Sequence, residues 1–492
     1  MSYDLLLEHL KKTTALEQVS GILGWDQETK MPSKGGVQRA EHMGALEGVL
    51  HARRSDPRVA EWIAAIDIKT LDTAGQTNVF EAQKAYRTAT KVPADLAEAL
   101  AKHAARSQGI WAKARAAQSV ADFAPTLKEM INLKRQEAEA RQEGNTSLYD
   151  TLMDDYEHGM KTSEMSELLD DLREGLVDLR GRISESGKVM PKLSGDFSTE
   201  NQMALAKALP EIFGYDWEAG RMDLAVHPFC SGNGGDVRLT TRIDLDNPFD
   251  CIYSTIHETG HGMYEQSIPK ADSLEPAYSY ASMGVHESQS RMMENQIGRS
   301  RAFAEHLFPM FTSHFGDIGV NNPDDFHKAV NRVRSSYIRT ESDEVHYNLH
   351  IMMRYDLERA LIEGDLEVDD LEAAWNERFE ADFGVAVDAP ANGVLQDVHW
   401  SVGLFGYFPT YSLGNLYAGE LFAKMQNDIN GLDAMISRAD LGAPLEWLHR
   451  NVHDHGRMKS PNQLIEDAVG HKASAAALLV YLNAKFGEIY DL

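Results

Sequence analysis

From the start of the chain to about Ala208, apolar positions recur at helical spacing within segments dominated by Ala, Glu, Lys, Leu and Gln. Gly and Pro are sparse inside these segments, so the pattern predicts helix after helix. Starts are marked by Pro93 ahead of A-D-L-A-E-A-L, by Pro125 ahead of T-L-K-E-M-I-N-L, and by Thr199-Glu200-Asn201-Gln202 as a capping box ahead of M-A-L-A-K-A-L. No fixed-period repeat is visible, which argues against a solenoid. The run Trp25-Asp26-Gln27-Glu28-Thr29-Lys30-Met31-Pro32 departs from the plain pattern and reads as a buried packing motif. The period changes at Ala225. A turn-rich Ser231-Gly232-Asn233-Gly234-Gly235 leads into alternating Val237, Leu239, Thr241 and Ile243, which predicts a hairpin and a half-buried strand. Helical spacing then returns with Phe249, Ile252, Ile256 and Met263, between Asn247 as N-cap, Pro248 at the first helical position, and Pro269 as a stop. A second helix over 285–297 ends at Gly298. Further helices are predicted over roughly 324–363, 369–383 and most of the chain after Leu413. Without a linker rich in Pro, Gly or Ser, the fold reads as one large, mostly α domain over 1–492 with a small β-sheet just before the Asn247 helix.

Opposite the apolar face of that helix lies His257-Glu258-Thr259-Gly260-His261. Residues four apart stack one turn above each other, so both imidazoles reach one point in space. Such a point suits Zn²⁺, which takes imidazole nitrogen at about 2.0–2.1 Å. Glu258 is rotated by roughly 100° from His257 and flanks that point, where a carboxylate can take a proton from a metal-bound water. Two unrelated histidines on one helix would look the same, but the capped helix and its apolar back favour the metal. A catalytic zinc wants three protein ligands and one open position. Glu287, on the next predicted helix, is a candidate for the third; Asp272 and Glu275, in the connection, are its rivals. An exposed strand beside such a helix can hold an extended peptide through backbone hydrogen bonds.

Composition bounds the answer. Apolar residues make up 43% of the 492 and charged residues 25%, enough for a substantial core. The net charge of −28, from 48 basic and 76 acidic residues, argues against nucleic acid and against anionic membranes. Two cysteines, Cys230 and Cys251, leave no disulfide framework and suit a reducing cytoplasm. The opening M-S-Y-D-L-L-L-E-H-L-K-K carries acids within its short apolar run, unlike a signal peptide. No apolar run approaches the ~20 residues of a membrane span. A soluble, cytoplasmic protein is expected.

His257-Glu258-Thr259-Gly260-His261 followed by His286-Glu287-Ser288-Gln289 resembles the carboxypeptidase Taq family of zinc metallocarboxypeptidases, the M32 class. Further signatures agree in order: His227-Pro228-Phe229; Asp236-x-Arg238-x-Thr240; Ile338-Arg339-x-x-Ser342-Asp343; Gly393-x-x-Gln396-Asp397-x-His399-Trp400; Phe408-Pro409-Thr410-Tyr411; and the Trp25 run. The likeness spans 25 to about 415. The family usually has alanine where Ser342 stands. The resemblance implies a helical fold with a central active-site cleft, its N-terminal part (about 1–210) covering the cleft, a catalytic part of about 220–415, and C-terminal helices to 492. It implies a homodimer that removes single residues from peptides with a free C-terminus. It also implies one Zn ion per chain, replaceable by Co, held by His257, His261 and Glu287, with Glu258 as general base. Arg339 is then the clamp on the α-carboxylate, a task suited to its bidentate fork. Tyr411 is the donor to the developing oxyanion. His227 and His399 bind substrate or stand behind the metal ligands, with Gln396, Asp397 and Trp400 as their support. Met293-Glu294-Asn295 and the His346/His350 pair read as helix packing. An oligopeptide endopeptidase with the same zinc chemistry is the nearest alternative. A non-catalytic peptide-binding protein with a structural metal is the other, and Glu258 and the missing fourth ligand speak against it.

Overall fold

A computed structural model describes residues 2–492, which gather into two units, each assembled from three stretches of chain. The first unit takes 2–90, Met190–Val330 and Tyr417–Ala473. Its helices Ser2–Thr29, Pro57–Ala64 and Thr73–Lys91 meet over a small core of Leu6, Val59, Val79 and Ala82, and Gly36–Arg54 packs on the first of them. Asp56 shows why one of them begins where it does. Its carboxylate accepts from the Arg58 N–H, while Pro57 fills the first position, where an N–H would have had no partner. The Trp25 run ends the first helix as a packing motif: the indole is buried, with the guanidinium groups of Arg221 and Arg238 at 4.8 and 4.2 Å from its ring centre.

Those two arginines belong to a three-stranded sheet of β1 (Gly220–Leu224), β2 (Cys230–Asn233) and β3 (Asp236–Thr241), in the order β1-β3-β2. The glycine-rich turn joins β2 to β3 as the expected hairpin. Gly232 takes φ +91°, and a Cβ there would stand 1.9 Å from the Asp236 carbonyl oxygen, so no other residue fits. The alternation ends at Thr241 rather than Ile243. The sheet also has a strand the pattern does not announce: β1 pairs with β3 in parallel, Gly220 opposite Val237 and Leu224 opposite Thr241. Val237 and Leu239 are buried against Tyr215.

The helix Pro248–Ser267 lies on this sheet and against Met283–Arg291, which runs on into a π-helical turn, Met292–Gly298. Ile252, Ile256 and Met263 are buried, as the spacing requires. Asn247 stands at the N-cap position but makes no side-chain capping bond. Asp244 instead fixes the turn that enters the helix, its Oδ1 accepting from the N–H groups of Asp246 and Asn247 at 2.8 and 3.2 Å, and Asp250 adds a negative charge to the first turn. Two other starts shift similarly. Ser198, not Thr199, caps Thr199–Ala208 by accepting from Asn201 N–H. Val120–Arg141 begins at a Ser119 cap, with Pro125 inside the helix rather than ahead of it.

The second unit takes Lys91–Val189, Asn331–Leu416 and Ser474–Leu492. Met165, Leu169, Leu172, Leu176, Leu179 and Ile183 repeat at intervals of three and four along Thr162–Glu185, and all are buried. This stripe packs on Glu344–Glu363 and Ala476–Tyr490. Each such leucine is worth about 1.5–3 kcal/mol when fully buried. The continuous helix expected over 324–363 is instead two, Pro323–Val330 and Glu344–Glu363. Between them the chain leaves the helix, and Asp343 starts the second by accepting from Val345 and His346 N–H at 3.0 and 3.1 Å and from Arg334 N–H at 2.9 Å. Arg339 therefore sits in a short 3₁₀ turn, Arg339–Glu341. Among the described residues, no helix is long and apolar enough to cross a membrane.

Candidate active site

A glycine brings the first cluster together. A Cβ at Gly260 would lie 2.5 Å from Ser290 Cα and 2.7 Å from the Gln289 carbonyl oxygen, so the helix Pro248–Ser267 meets Met283–Arg291 at closer range than any side chain permits. That crossing places Glu287 over His257 and His261. The three donor atoms lie within 4.8 Å of one another. Glu287 Oε2 stands 3.7 Å from His257 Nε2 and 3.4 Å from His261 Nε2. Its other oxygen accepts from Arg291 Nε at 2.6 Å. Burial works against a charge on Glu287, but Arg291, His257 and His261 hold its carboxyl well below the usual range. Burial and His286 push His261 down to about 3, so its ring is neutral. At His257 burial is outweighed by Glu287 and Glu294, and the pKa rises. Asp272 and Glu275 do not join the cluster; Glu275 is taken by Asn78 at 3.0 Å and Lys11 at 3.1 Å. Two imidazoles and an ionised carboxylate, turned inward at one buried point, fit a divalent cation of zinc's type.

Glu258, on the same helix, is buried, and burial raises its carboxyl to about 7, with His257 pulling it back. Behind the donors stand two groups to which the sequence assigns no part in the site: His286, present there only as a member of its motif, and Glu294, which reads there as packing. Glu294, in the π-helical turn, accepts from His257 Nδ1 at 2.9 Å and is itself held by Arg299 at 3.0 Å and Arg291 at 3.3 Å. Packing is thus the wrong reading of Met293-Glu294-Asn295 for its middle residue. His286 places Nδ1 2.5 Å from His261 Nδ1 and Nε2 2.8 Å from Glu265 Oε1. An acid standing between Arg291 and Arg299 along the chain is the only trace of Glu294's role in the sequence. His227 lies exposed in the loop between β1 and β2, outside this cluster.

The second unit holds a cluster of its own, built around a shared carboxylate. Arg339 is 6% exposed and donates from Nε and Nη2 to Asp397 Oδ1 at 3.2 and 3.0 Å. Arg354, fully buried, donates from Nε to Asp397 Oδ2 at 2.7 Å. Two guanidinium groups against one carboxylate leave one positive charge over. Burial opposes the charge on Asp397, but the two arginines hold its carboxyl far below the usual range. Burial lowers Arg354 to about 10, still charged at neutral pH. Gln396 fixes the turn, its Oε1 accepting from Arg339 N–H at 3.0 Å while Nε2 donates to the Tyr337 carbonyl at 3.0 Å. The Tyr411 ring centre lies 5.2 Å from the Arg339 guanidinium carbon, at the start of the helix Phe408–Asp428. His399 has its Nδ1 3.8 Å from Asp397, and burial with the two arginines lowers it to about 4, so it is neutral. Trp400 Nε1 donates to Glu358 at 3.0 Å. Ser342 Oγ donates to the Ile338 carbonyl at 3.1 Å, a local bond that leaves Arg339 and Asp343 undisturbed where the family carries alanine. His346 and His350 are helix contacts, one on Asp343 at 2.9 Å, the other against Phe383. Arg339, His399, Tyr411, Gln396 and Asp397 are thus brought together in one unit, and His257, Glu258, His261 and Glu287 in the other.

The family model for carboxypeptidase Taq (M32) metallopeptidases matches residues 5–486. Thermostable carboxypeptidase 1 of Thermus thermophilus is 40% identical over 506 aligned positions, covering 99% of each chain. Carboxypeptidase 1 of Bacillus subtilis is 34% identical over 98% of this chain and 97% of its own. The solved M32 carboxypeptidase from Deinococcus radiodurans R1 superposes with a TM-score of 0.95 at 34% identity, over 100% of both chains.

Proposed function

The chain belongs to the carboxypeptidase Taq (M32) family and is a metallocarboxypeptidase acting on peptides, and from that premise we propose which of its residues do the work. His257, His261 and Glu287 hold one Zn²⁺, and Glu258 is the general base. The observation that carries this reading is the inward convergence of two imidazole nitrogens and an ionised carboxylate beside a second, buried carboxyl. When bound there, a zinc ion polarises the scissile carbonyl and acidifies water. Glu258 takes the proton of the attacking water and later returns it to the departing amine. Arg339, which together with Arg354 leaves one positive charge over Asp397, takes the terminal α-carboxylate through the Nη1 end of its fork, in a charge-assisted grip, while Asp397 holds its Nε edge. The Tyr411 hydroxyl donates to the oxyanion of the tetrahedral intermediate. His399 is neutral and serves as a hydrogen-bond partner for the substrate. His227, exposed on its loop, is assigned to the peptide chain ahead of the scissile bond. Free thiols at Cys230 and Cys251 suit the cytoplasm, and the family likeness supports a homodimer.

The test uses an N-blocked dipeptide with a free C-terminus and its C-terminal amide. The acid should be cut, the amide spared, and a chelator should stop the reaction until zinc is returned. Equal cleavage of both would make the enzyme an endopeptidase, and turnover that survives chelation would remove the metal from the reaction.

A further inference from the structure

The two histidines of the metal cluster are braced by different means. His257 donates its Nδ1–H directly to Glu294. His261 has no carboxylate on that side; it meets His286, and only His286 meets a carboxylate, Glu265. The proton positions along this chain follow from elementary rules. An ionised carboxylate only accepts, so His286 Nε2 carries the hydrogen that lies toward Glu265. The 2.5 Å contact between the two Nδ1 atoms holds one hydrogen, and only with His261 as its donor and His286 as its acceptor is His261 Nε2 left free for a cation. His261 Nε2 is then a bare lone pair, and it faces Glu287 Oε2 at 3.4 Å. With the opposite order of protons, Nε2 would carry hydrogen and could bind no metal.

We propose that His286 is a positioning residue of the metal centre: by accepting from His261 Nδ1 while donating to Glu265, it fixes the one His261 tautomer able to hold the cation. The proposal rests on the metal assignment above. Outer hydrogen-bond partners of this kind orient the ligand ring and raise its basicity, and their loss costs about 10- to 100-fold in metal affinity. His286 also packs its ring on Tyr264 and Tyr280, with centres 5.4 and 4.9 Å away, so the test must separate hydrogen bonding from filling space.

Three variants of the full chain separate the two roles, read as zinc affinity by competition with a chromogenic chelator and as Tm of the metal-free protein. His286→Phe keeps an aromatic ring between Tyr264 and Tyr280 but offers no acceptor; zinc should bind about 10- to 100-fold more weakly. His286→Asn sets a carbonyl oxygen where Nδ1 stood, and should stay within about threefold of the parent even though the link to Glu265 is gone. Unchanged affinity in a folded His286→Phe overturns the proposal, and so does a His286→Asn as weak as the Phe variant. If His286→Phe does not fold, His286→Asn alone decides, a tenfold loss counting against. His261→Ala completes the set. Zinc bound by it at parental strength would overturn the metal assignment itself, whereas its loss beside a normal His286→Phe would overturn only the role of His286.

Discussion

Glu258 and Arg339 divide the proposed chemistry at the scale of single residues, and each can be removed without disturbing the zinc donors. In Glu258→Gln the carboxamide cannot accept the proton of water, so turnover should fall to near background while metal analysis still finds zinc. A rate close to the parent with zinc retained would take the base role from Glu258. Arg339→Ala should act on free C-termini alone. Truncating one partner of a buried, charge-assisted contact costs roughly 2–5 kcal/mol. At ~1.4 kcal/mol per decade that is roughly a thirtyfold to several-thousandfold loss in kcat/KM for the acid peptide. The amide, already a poor substrate, should barely respond. Equal losses on both would make Arg339 a scaffold for the turn it occupies. That His257 and His261 stand together with Glu258 beside them was legible because helical geometry fixes that spacing, whereas Glu287 was one of three candidates until the family resemblance singled it out. His286 was seen only as part of a motif and Glu294 only as packing, because their roles lie in what they touch across a helix crossing, and no spacing encodes that. Asp397 stood in a motif, but its position between Arg339 and Arg354 emerges only where two chain segments meet.

At the scale of elements, the crossing at Gly260 is the joint on which the metal cluster depends. The atoms a Cβ would meet are backbone, and backbone cannot turn aside as a side chain can. Gly260→Ala should force the two helices apart, costing about 1–3 kcal/mol as overpacking and withdrawing Glu287 from the histidines. Zinc affinity should fall at least about tenfold, in line with losses on displacing metal-site geometry, and the metal-free Tm should drop. A variant that binds zinc as the parent does would show that the close approach is dispensable. The pattern of apolar positions located this helix, its partner over 285–297 and the hairpin. It missed β1, because Gly220–Leu224 carries little of the β-branched content that marks a strand and is held by parallel pairing with a distant segment. It also ran a helix through 331–343, where Asp343 wins the competition for backbone N–H groups, and it placed Pro125 at a start, where the missing N–H costs nothing, whereas the helix that begins at Val120 carries it in its interior.

Over the whole molecule, buried ionised groups set how stability follows pH. Glu358 is fully buried and accepts from Tyr149, from Trp400 at 3.0 Å and from Gly406 N–H at 3.2 Å. Burial still wins, raising it from 4.5 to about 7. A raised carboxyl favours the folded state in its protonated form. Its contribution is complete below about 4.5 and lost as pH climbs through about 7. Asp397 behaves oppositely: its lowered carboxyl stabilises the fold above the ordinary carboxylate range, and that support goes as pH falls. Glu358→Gln should therefore gain on the parent between pH 5 and 8, by on the order of 3 kcal/mol, compared through the Tm of metal-free protein. A difference that stays constant over that range would mean that Glu358 is already ionised in the fold.

The discontinuity of the first unit has a consequence during synthesis. His453 is fully buried, donates from Nε2 to Gln289 Oε1 at 3.0 Å and packs on Tyr264, so a residue near the end of the chain props both helices that carry the candidate metal donors. The ribosome finishes Ser267 about 200 residues before it finishes Ala473. At ~5–20 residues per second, these two helices wait roughly ten to forty seconds for that prop. Through that interval Gln289 and Tyr264 lack the late-made neighbour that covers them in the finished fold, so this corner of the molecule closes last as the chain is synthesised.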